Sequence, residues 1–383
     1  MKTSTLIFIG ALLISAFIIS IGAIKIYNIH TNNISRVQFS GKFNTILRSE
    51  IPNAIRLKLD HYCSKPEECD TSNLPKSFDS RDKWGDLITK PLNQQQCGSC
   101  WAFATTTCIS DRIRINSYVG KHSLKFMGDN QNPSSLIGWK EQVISKSSSK
   151  PLSRKLWYRR GEFEAIDNIS PFTFAGCDVC EIAHIIDSAV YKYLKETNNS
   201  CNECCDGGII QYAFIYAMVR GCLSVADDPD PWSYDCSNWV GAPEYKVKNV
   251  YHLSGGIEQI KANIFHFGPV VSGINVLTSF GYDSGKIPGT DVFGNYGTVR
   301  GGHAIVIVGW GSQKAGNGNT VEYWLCRNSW GSEWNGDGFF KMQMGICGIE
   351  DDVWGAKPFD VYDLTRTKPR PRPAYPKNCD ANK

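Results

Sequence analysis

The chain has 383 residues, 42% of them hydrophobic and 20% charged, with a formal net charge of +4. That balance is globular, which excludes wholesale disorder, and the length suits one two-lobed enzyme or two modest domains with attachments. The excess positives gather in the tail around Lys368 to Arg372 rather than along a stripe, so nucleic-acid binding is excluded too.

From the amino terminus, residues 1–5 form a short tail before Leu6 to Ile24, 19 residues without a charge between Lys2 and Lys25. A secretory signal's apolar core runs ~7–15 residues and a spanning helix ~17–25, so the length favours a retained signal-anchor helix over residues 6–27. Small residues around Ser20-Ile21-Gly22 keep cleavage as the alternative, giving a secreted or lysosomal protein. Either way the chain beyond residue 27 crosses a membrane. The anchored form is single-pass, with its folded part lumenal or extracellular. Fifteen cysteines agree with an oxidising compartment. Sequons at Asn33, Asn168 and Asn198 suit glycosylation, although Pro171 makes the second a poor acceptor.

Residues 28–73 are polar and irregular, with Cys63 and Cys69 around a charged loop, and read as a stalk or a short propeptide. A folded domain spans residues 74–365. Within it, Trp101 to Ile115 has helical spacing with Ser99 placed as N-cap. A Ser-, Lys- and Asn-rich insertion follows over about 117–167, and a second over about 178–204. Helical patterns recur at Glu181 to Glu196 and Ile209 to Arg220. The later half carries strand signals at Val270 to Ile274, His303 to Val308 and Glu322 to Cys326. Helices first and strands later predict an α+β enzyme of two lobes with a cleft between them. The Pro-rich basic tail, residues 366–383, reads as extended and solvated.

Catalytic chemistry centres on Cys97-Gly98-Ser99-Cys100-Trp101. A thiol of pKa ~8.5 is a poor nucleophile at neutral pH unless a cation and a favourable field stabilise its thiolate. The predicted helix start supplies the field at Cys100. His303, in Gly301-Gly302-His303-Ala304, supplies the cation. Asn328, in Asn328-Ser329-Trp330-Gly331 and 25 residues further on, would orient that imidazole while Trp330 screens the bond.

These three segments, in this order, resemble the motifs of the papain family of cysteine proteases over about Leu74 to Pro358, insertions aside. The resemblance implies a papain-like fold, with a helical left lobe and a β-barrel-like right lobe. It also implies Gln94 as an oxyanion-hole donor beside the Cys100 N–H. The family places its His and Asn ~130–150 residues beyond the cysteine. Here the separations are 203 and 228, an excess that the two insertions supply.

Within the family the likeness is to cathepsin B, carried by Ser110-Asp111-Arg112-Ile113, Gly301-Gly302-His303-Ala304-Ile305 and Cys347-Gly348-Ile349-Glu350. It implies that Gly207 and Gly208, with Gly302 opposite, hold the main chain of a peptide or protein substrate. It implies disulfides Cys97–Cys205 and Cys177–Cys236. It places Asp352 at the floor of the S2 pocket, tolerant of Arg beside bulky apolar residues. Cathepsin B trims dipeptides through a loop with paired histidines, whereas only His252 and His266 lie between Gly208 and His303 here. Endopeptidase activity is therefore expected. Where the family has glycine after the oxyanion glutamine this chain has Gln95, which would narrow substrate choice or lower the rate. No long helical inhibitory propeptide is visible before Leu74.

Two rival readings are set beside this one. Cys177-x2-Cys180 and Cys201-x2-Cys204 meet a zinc-ribbon spacing. The helical pattern between them and an oxidising compartment favour disulfides, so no metal or cofactor is expected. The other rival is a catalytically impaired, protease-like binding protein, for which Gln95 is the sequence support.

Overall fold

The computed structural model describes residues 43, 45–126, 192, 207–219, 221–222 and 245–358. The apolar run at 6–27, the second insertion apart from Lys192, and the tail lie outside the described residues. Among the described residues no helix is long and apolar enough to cross a membrane.

The helices are α1 (Asn53–Asp60), α2 (Ser80–Trp84), α3 (Cys100–Phe126), α4 (Ile210–Val219) and α5 (Ile257–Phe267). The strands are β1 (Phe78–Asp79), β2 (Val247–His252), β3 (Val270–Leu277), β4 (Val292–Phe293), β5 (Val299–Lys314), β6 (Thr320–Arg327), β7 (Phe339–Gln343) and β8 (Val353–Pro358). One sheet takes them in the order β2-β8-β3-β5-β6-β7-β4, with β1 paired to β5.

The expected barrel is corrected to an open sheet. The strands at its two ends, β2 and β4, do not meet. β4 is two residues long and pairs parallel with β7, too short to carry a closing ladder. The β2 edge is instead capped by the Ser64 N–H, which donates to the Val250 carbonyl at 2.7 Å.

Two hydrophobic cores flank the cleft. One joins α3, α4 and α1 to the inner face of the sheet, around Trp101, Phe214, Leu59 and Trp354. The other fills the opposite side with α5 and aromatic residues of β6 and β7, around Ile274, Trp324, Phe340 and Ile264.

α3 is buried on every side from Cys100 to Ile113. Its polar residues are tolerated because they return hydrogen bonds to the helix: Thr106 Oγ1 to the Ala102 carbonyl, Thr107 Oγ1 to Phe103 (both 2.8 Å) and Ser110 Oγ to Thr106 (2.7 Å). The helix continues ten residues beyond Asn116 into the stretch read as insertion. No proline interrupts it there, and Lys121, Leu124 and Lys125 are good helix formers. Ser99 takes the expected N-cap position. Its carbonyl accepts from Phe103 N at 3.1 Å, but its buried hydroxyl makes no capping bond.

Candidate active site

α3 begins at Cys100, which puts the thiol at the positive end of a long helix whose first turns are buried. β5 brings His303 to it, and the neighbouring antiparallel β6 ends at Arg327, one residue before Asn328. The register pairs Val306 with Arg327, so Asn328 lies across from the His303 end of β5. Asn328 Oδ1 meets His303 Nε2 at 2.9 Å and also accepts from the Ser329 N–H at 2.8 Å. Trp330 stacks on the imidazole, with ring centroids 5.2 Å apart and planes inclined 30°. His303 Nδ1 is buried and has no nitrogen or oxygen partner among the described residues. Burial pushes the Cys100 thiol up. The charge of His303 and hydrogen bonds from His303, Thr45 and the Ala304 backbone outweigh it, lowering the pKa to about 7. The arrangement can hold a thiolate beside an imidazolium near neutral pH.

Gln94 is buried against the same frame. Its N–H donates to the Ser329 carbonyl (2.8 Å), its Nε2 donates to the Cys97 carbonyl (2.8 Å), and the Ser329 hydroxyl donates to its Oε1. Beyond its place in the Asn328 motif, Ser329 has a hydroxyl that fixes the glutamine amide. Cys97 is disulfide-bonded. Cys205, Cys177 and Cys236 lie outside the described residues.

Gln95 has φ of +54°, a left-handed conformation that favours glycine. The family's glycine at this position thus has a backbone reason, and Gln95 takes up the strain with its N–H donating to Asn93 Oδ1 at 2.8 Å.

The glycines and Asp352 line a groove that the chain itself fills. Thr45 pairs parallel with Gly208, the Ile46 N–H donates to the Gly208 carbonyl (3.0 Å), and the Thr45 N–H donates to the Gly302 carbonyl (3.1 Å). A side chain at Gly302 would collide with the Thr45 carbonyl, since a Cβ would sit 2.1 Å from it. Gly207, with φ of +113°, turns the chain into this contact. Thr45 Oγ1 lies 3.0 Å from Cys100 Sγ, and Phe43 packs edge-on against His303 at 5.8 Å. Leu47 fills the pocket between Gly273, Gly302 and Asp352.

Asp352 is buried, accepting from the Arg48 N–H at 2.9 Å and from Trp354 Nε1 at 2.5 Å. Burial raises its carboxyl above the usual carboxylate value, only partly offset by those two bonds. Beyond the groove, Arg48 turns back onto Asp60 of α1 (2.6 Å), and Ile55 and Leu59 anchor that helix in the first core. The sequence of residues 28–73, a stalk or a short propeptide, carries no motif that assigns it a site role. The signal was present in Phe43, Leu47 and the amphipathic stretch after Pro52, but it was too short to stand out.

Comparisons with known proteins agree on one family. The model of the family described as "Papain family cysteine protease" matches residues 74–126 and 170–356. "Cathepsin B-like cysteine proteinase 6" of Caenorhabditis elegans is 28% identical over 320 residues, covering 80% of this chain and 73% of the relative. "Tubulointerstitial nephritis antigen-like" of Rattus norvegicus is 29% identical over 295 residues, covering 74% of this chain and 55% of the relative. Among solved structures, procathepsin B S9 from Trypanosoma congolense superposes with a TM-score of 0.50 at 19% identity, covering 86% of this chain and 97% of that one, a likeness of fold.

Proposed function

The chain belongs to the papain family of cysteine proteases, on the cathepsin B-like side, and on that premise we propose that it is a cysteine endopeptidase held latent by residues 28–73. The observation that carries the reading is the Cys100 thiol, wholly buried yet drawn down to about 7 by an imidazole that Asn328 and Trp330 hold in place.

The Cys100 thiolate attacks a peptide carbonyl carbon, and the oxygen becomes an oxyanion. The Cys100 N–H and the second N–H of Gln94 Nε2 stabilise that charge. His303 Nδ1–H protonates the leaving amine as the C–N bond breaks, leaving a thioester on Cys100. Water then gives a proton to His303 and attacks the thioester, releasing the acid and regenerating the pair. Asn328 Oδ1 accepts from Nε2–H throughout, which keeps the ring oriented with Nδ1 toward the reacting atoms. Gly207, Gly208 and Gly302 hold the substrate backbone where Thr45 and Ile46 now lie. Asp352 floors the pocket that Leu47 occupies, so bulky aliphatic residues are preferred there, with Arg also accepted. His252 and His266 meet the backbone carbonyls of Asp351 and Asp70, on β2 and α5. This supports an open primed side and endopeptidase cleavage. Activation removes residues 28–73, and an apolar segment at 6–27 delivers the enzyme across a membrane as an anchor or a cleaved signal.

A second reading, a protease-like binding protein, draws on the relative whose name states no proteinase. Treating the full chain by limited proteolysis within residues 65–73 and then with an epoxysuccinyl thiol-protease probe separates the two. The enzyme gives a stoichiometric adduct on Cys100. A chain that still melts cooperatively but never labels there is the binding protein.

A further inference from the structure

Behind the candidate site, Asp111 and Arg327 form an ion pair at 2.9 Å between side chains that are 0% and 2% exposed. Asp111 lies eleven residues along α3 from Cys100, and Arg327 is the last residue of β6, next to Asn328. The pair therefore ties the helix that carries the nucleophile to the strand end that carries the amide. Thr89 completes the joint. Its N–H and hydroxyl both donate to Asp111 Oδ1 at 2.6 Å, and its carbonyl accepts from Arg327 Nη1 at 2.7 Å. Arg114 adds a longer contact to Asp111 at 3.4 Å. A buried pair of this kind gains little stability over apolar side chains of similar volume. Its value lies in geometry.

Two donors at this joint are unspent. Arg327 Nη2 and Asn328 Nδ2 are buried without a hydrogen-bond partner among the described residues. Both residues line one small, partly open pocket of about 10 Å³, together with Phe103, Ala104, Thr107 and Ala304. That volume is about one water site, and such a site needs two or more polar partners. The two N–H groups supply donors. Thr107 Oγ1, already donating to Phe103, keeps lone pairs to accept from a water.

We propose that Arg327 is a positioning residue for Asn328, held by Asp111 and acting through one buried water that accepts from Arg327 Nη2 and Asn328 Nδ2. An asparagine amide is nearly symmetric in shape, and only one of its two orientations presents an acceptor to His303 Nε2. The Ser329 N–H already favours that orientation at Oδ1, and the water reinforces it by giving Nδ2 an acceptor on the far side. Turned the other way, Nδ2–H would face the imidazolium Nε2–H, and the ion pair with Cys100 would lose its support. The inference rests on the Cys100–His303 reading above.

The test is the pH titration of the ultraviolet thiolate band of the full chain, taken as the difference from the same variant carrying Cys100→Ala. Asp111→Leu/Arg327→Met removes both charges together, and Thr107→Val removes only a hydroxyl on a residue that lines the pocket. The double variant is expected to raise the thiolate midpoint by about one pH unit, a tenfold loss of thiolate below it. Thr107→Val is expected to shift it the same way by less. Adding Asn328→Ala to the double variant is expected to shift it no further. Wild-type midpoints in both the double variant and Thr107→Val overturn this inference alone, as does full additivity with Asn328→Ala. A wild-type chain with no transition near pH 7 overturns both this inference and the proposed function.

Discussion

The floor of the cleft and the strap that crosses it are made from opposite kinds of contact. Cys100, His303, Gln94 and Asn328 are each at most 3% exposed and sit on α3, on β5 or on segments tied to them. Displacing any of them disturbs a hydrophobic core. The strap at residues 43–64 enters the first core through Ile46, Ile51, Ile55 and Leu59, while its outer face, including Leu57, is exposed. It borrows the Gly208 and Gly302 backbone groups and adds an arginine–carboxylate contact open to solvent on one side. Chemistry is thus built into the frame and control is laid over it, so the two should respond to substitution independently.

Cys100→Ala is the strongest way to sharpen that contrast. Turnover of an activated sample should fall on the order of 10⁵-fold or more, as for other enzymes that lose the nucleophile. The melting transition should stay cooperative, because a small buried side chain is replaced by a smaller one. Asn328→Ala comes next. It should lower kcat by less than the roughly 10²–10⁴ that a general acid–base group contributes, with KM nearly unchanged. An equal and complete loss in both variants, read from progress curves on a peptide substrate, would make Asn328 part of the frame rather than of the chemistry.

The strap should answer to a different substitution. Leu47→Glu puts a charge into the apolar pocket beside the buried Asp352. Expelling that charge should open the groove and speed epoxysuccinyl labelling of Cys100 in the full chain at least tenfold, about 1.4 kcal/mol of lost closure. The frame should keep its melting temperature within a few degrees. Unchanged labelling would mean that the strap is not what covers the thiol.

How much of this could be read beforehand differs between the same two regions. The frame was legible because its chemistry is local: a cysteine at a helix start, a histidine on a glycine-flanked strand and an asparagine before a tryptophan each declare themselves within a few residues. The strap was not, because Phe43, Thr45 and Leu47 acquire meaning only from Gly208, Gly302 and Asp352, which lie far along the chain. The same holds for Asp111 and Arg327, whose pairing shows only once the end of β6 reaches α3. Sheet closure failed for a related reason. Strand signals give existence and type, but whether the end strands meet depends on β4 being two residues long. Gln95 stands out in the sequence as a departure, yet the positive φ at that position is a backbone property no composition displays.

The smallest effect concerns what holds the strap at different pH. Asp60 accepts from both Arg48 nitrogens at 2.9 and 2.6 Å and from Gln211 Nε2 at 2.9 Å. Burial raises its carboxyl, but the Arg48 hydrogen bond and charge, then Gln211 and His252, bring it below the usual 3.8. A carboxyl lowered in the strapped state strengthens that state fully above pH 3.8. It loses the contribution as pH falls through the lowered value. Asp352 has the opposite sign: its carboxyl is raised, so its contribution is present in acid and fades as pH rises. Overall acid sensitivity therefore mixes two opposed carboxyls, and only a ratio isolates one. Asp60→Asn should label a few-fold faster than wild type at pH 7, because the half-exposed pair is worth little. The ratio of the two rates should approach one as pH is brought down through the lowered Asp60 value, below which wild type also lacks that charge. A ratio that stays constant across that range would leave the strap held by its apolar anchors and backbone bonds alone.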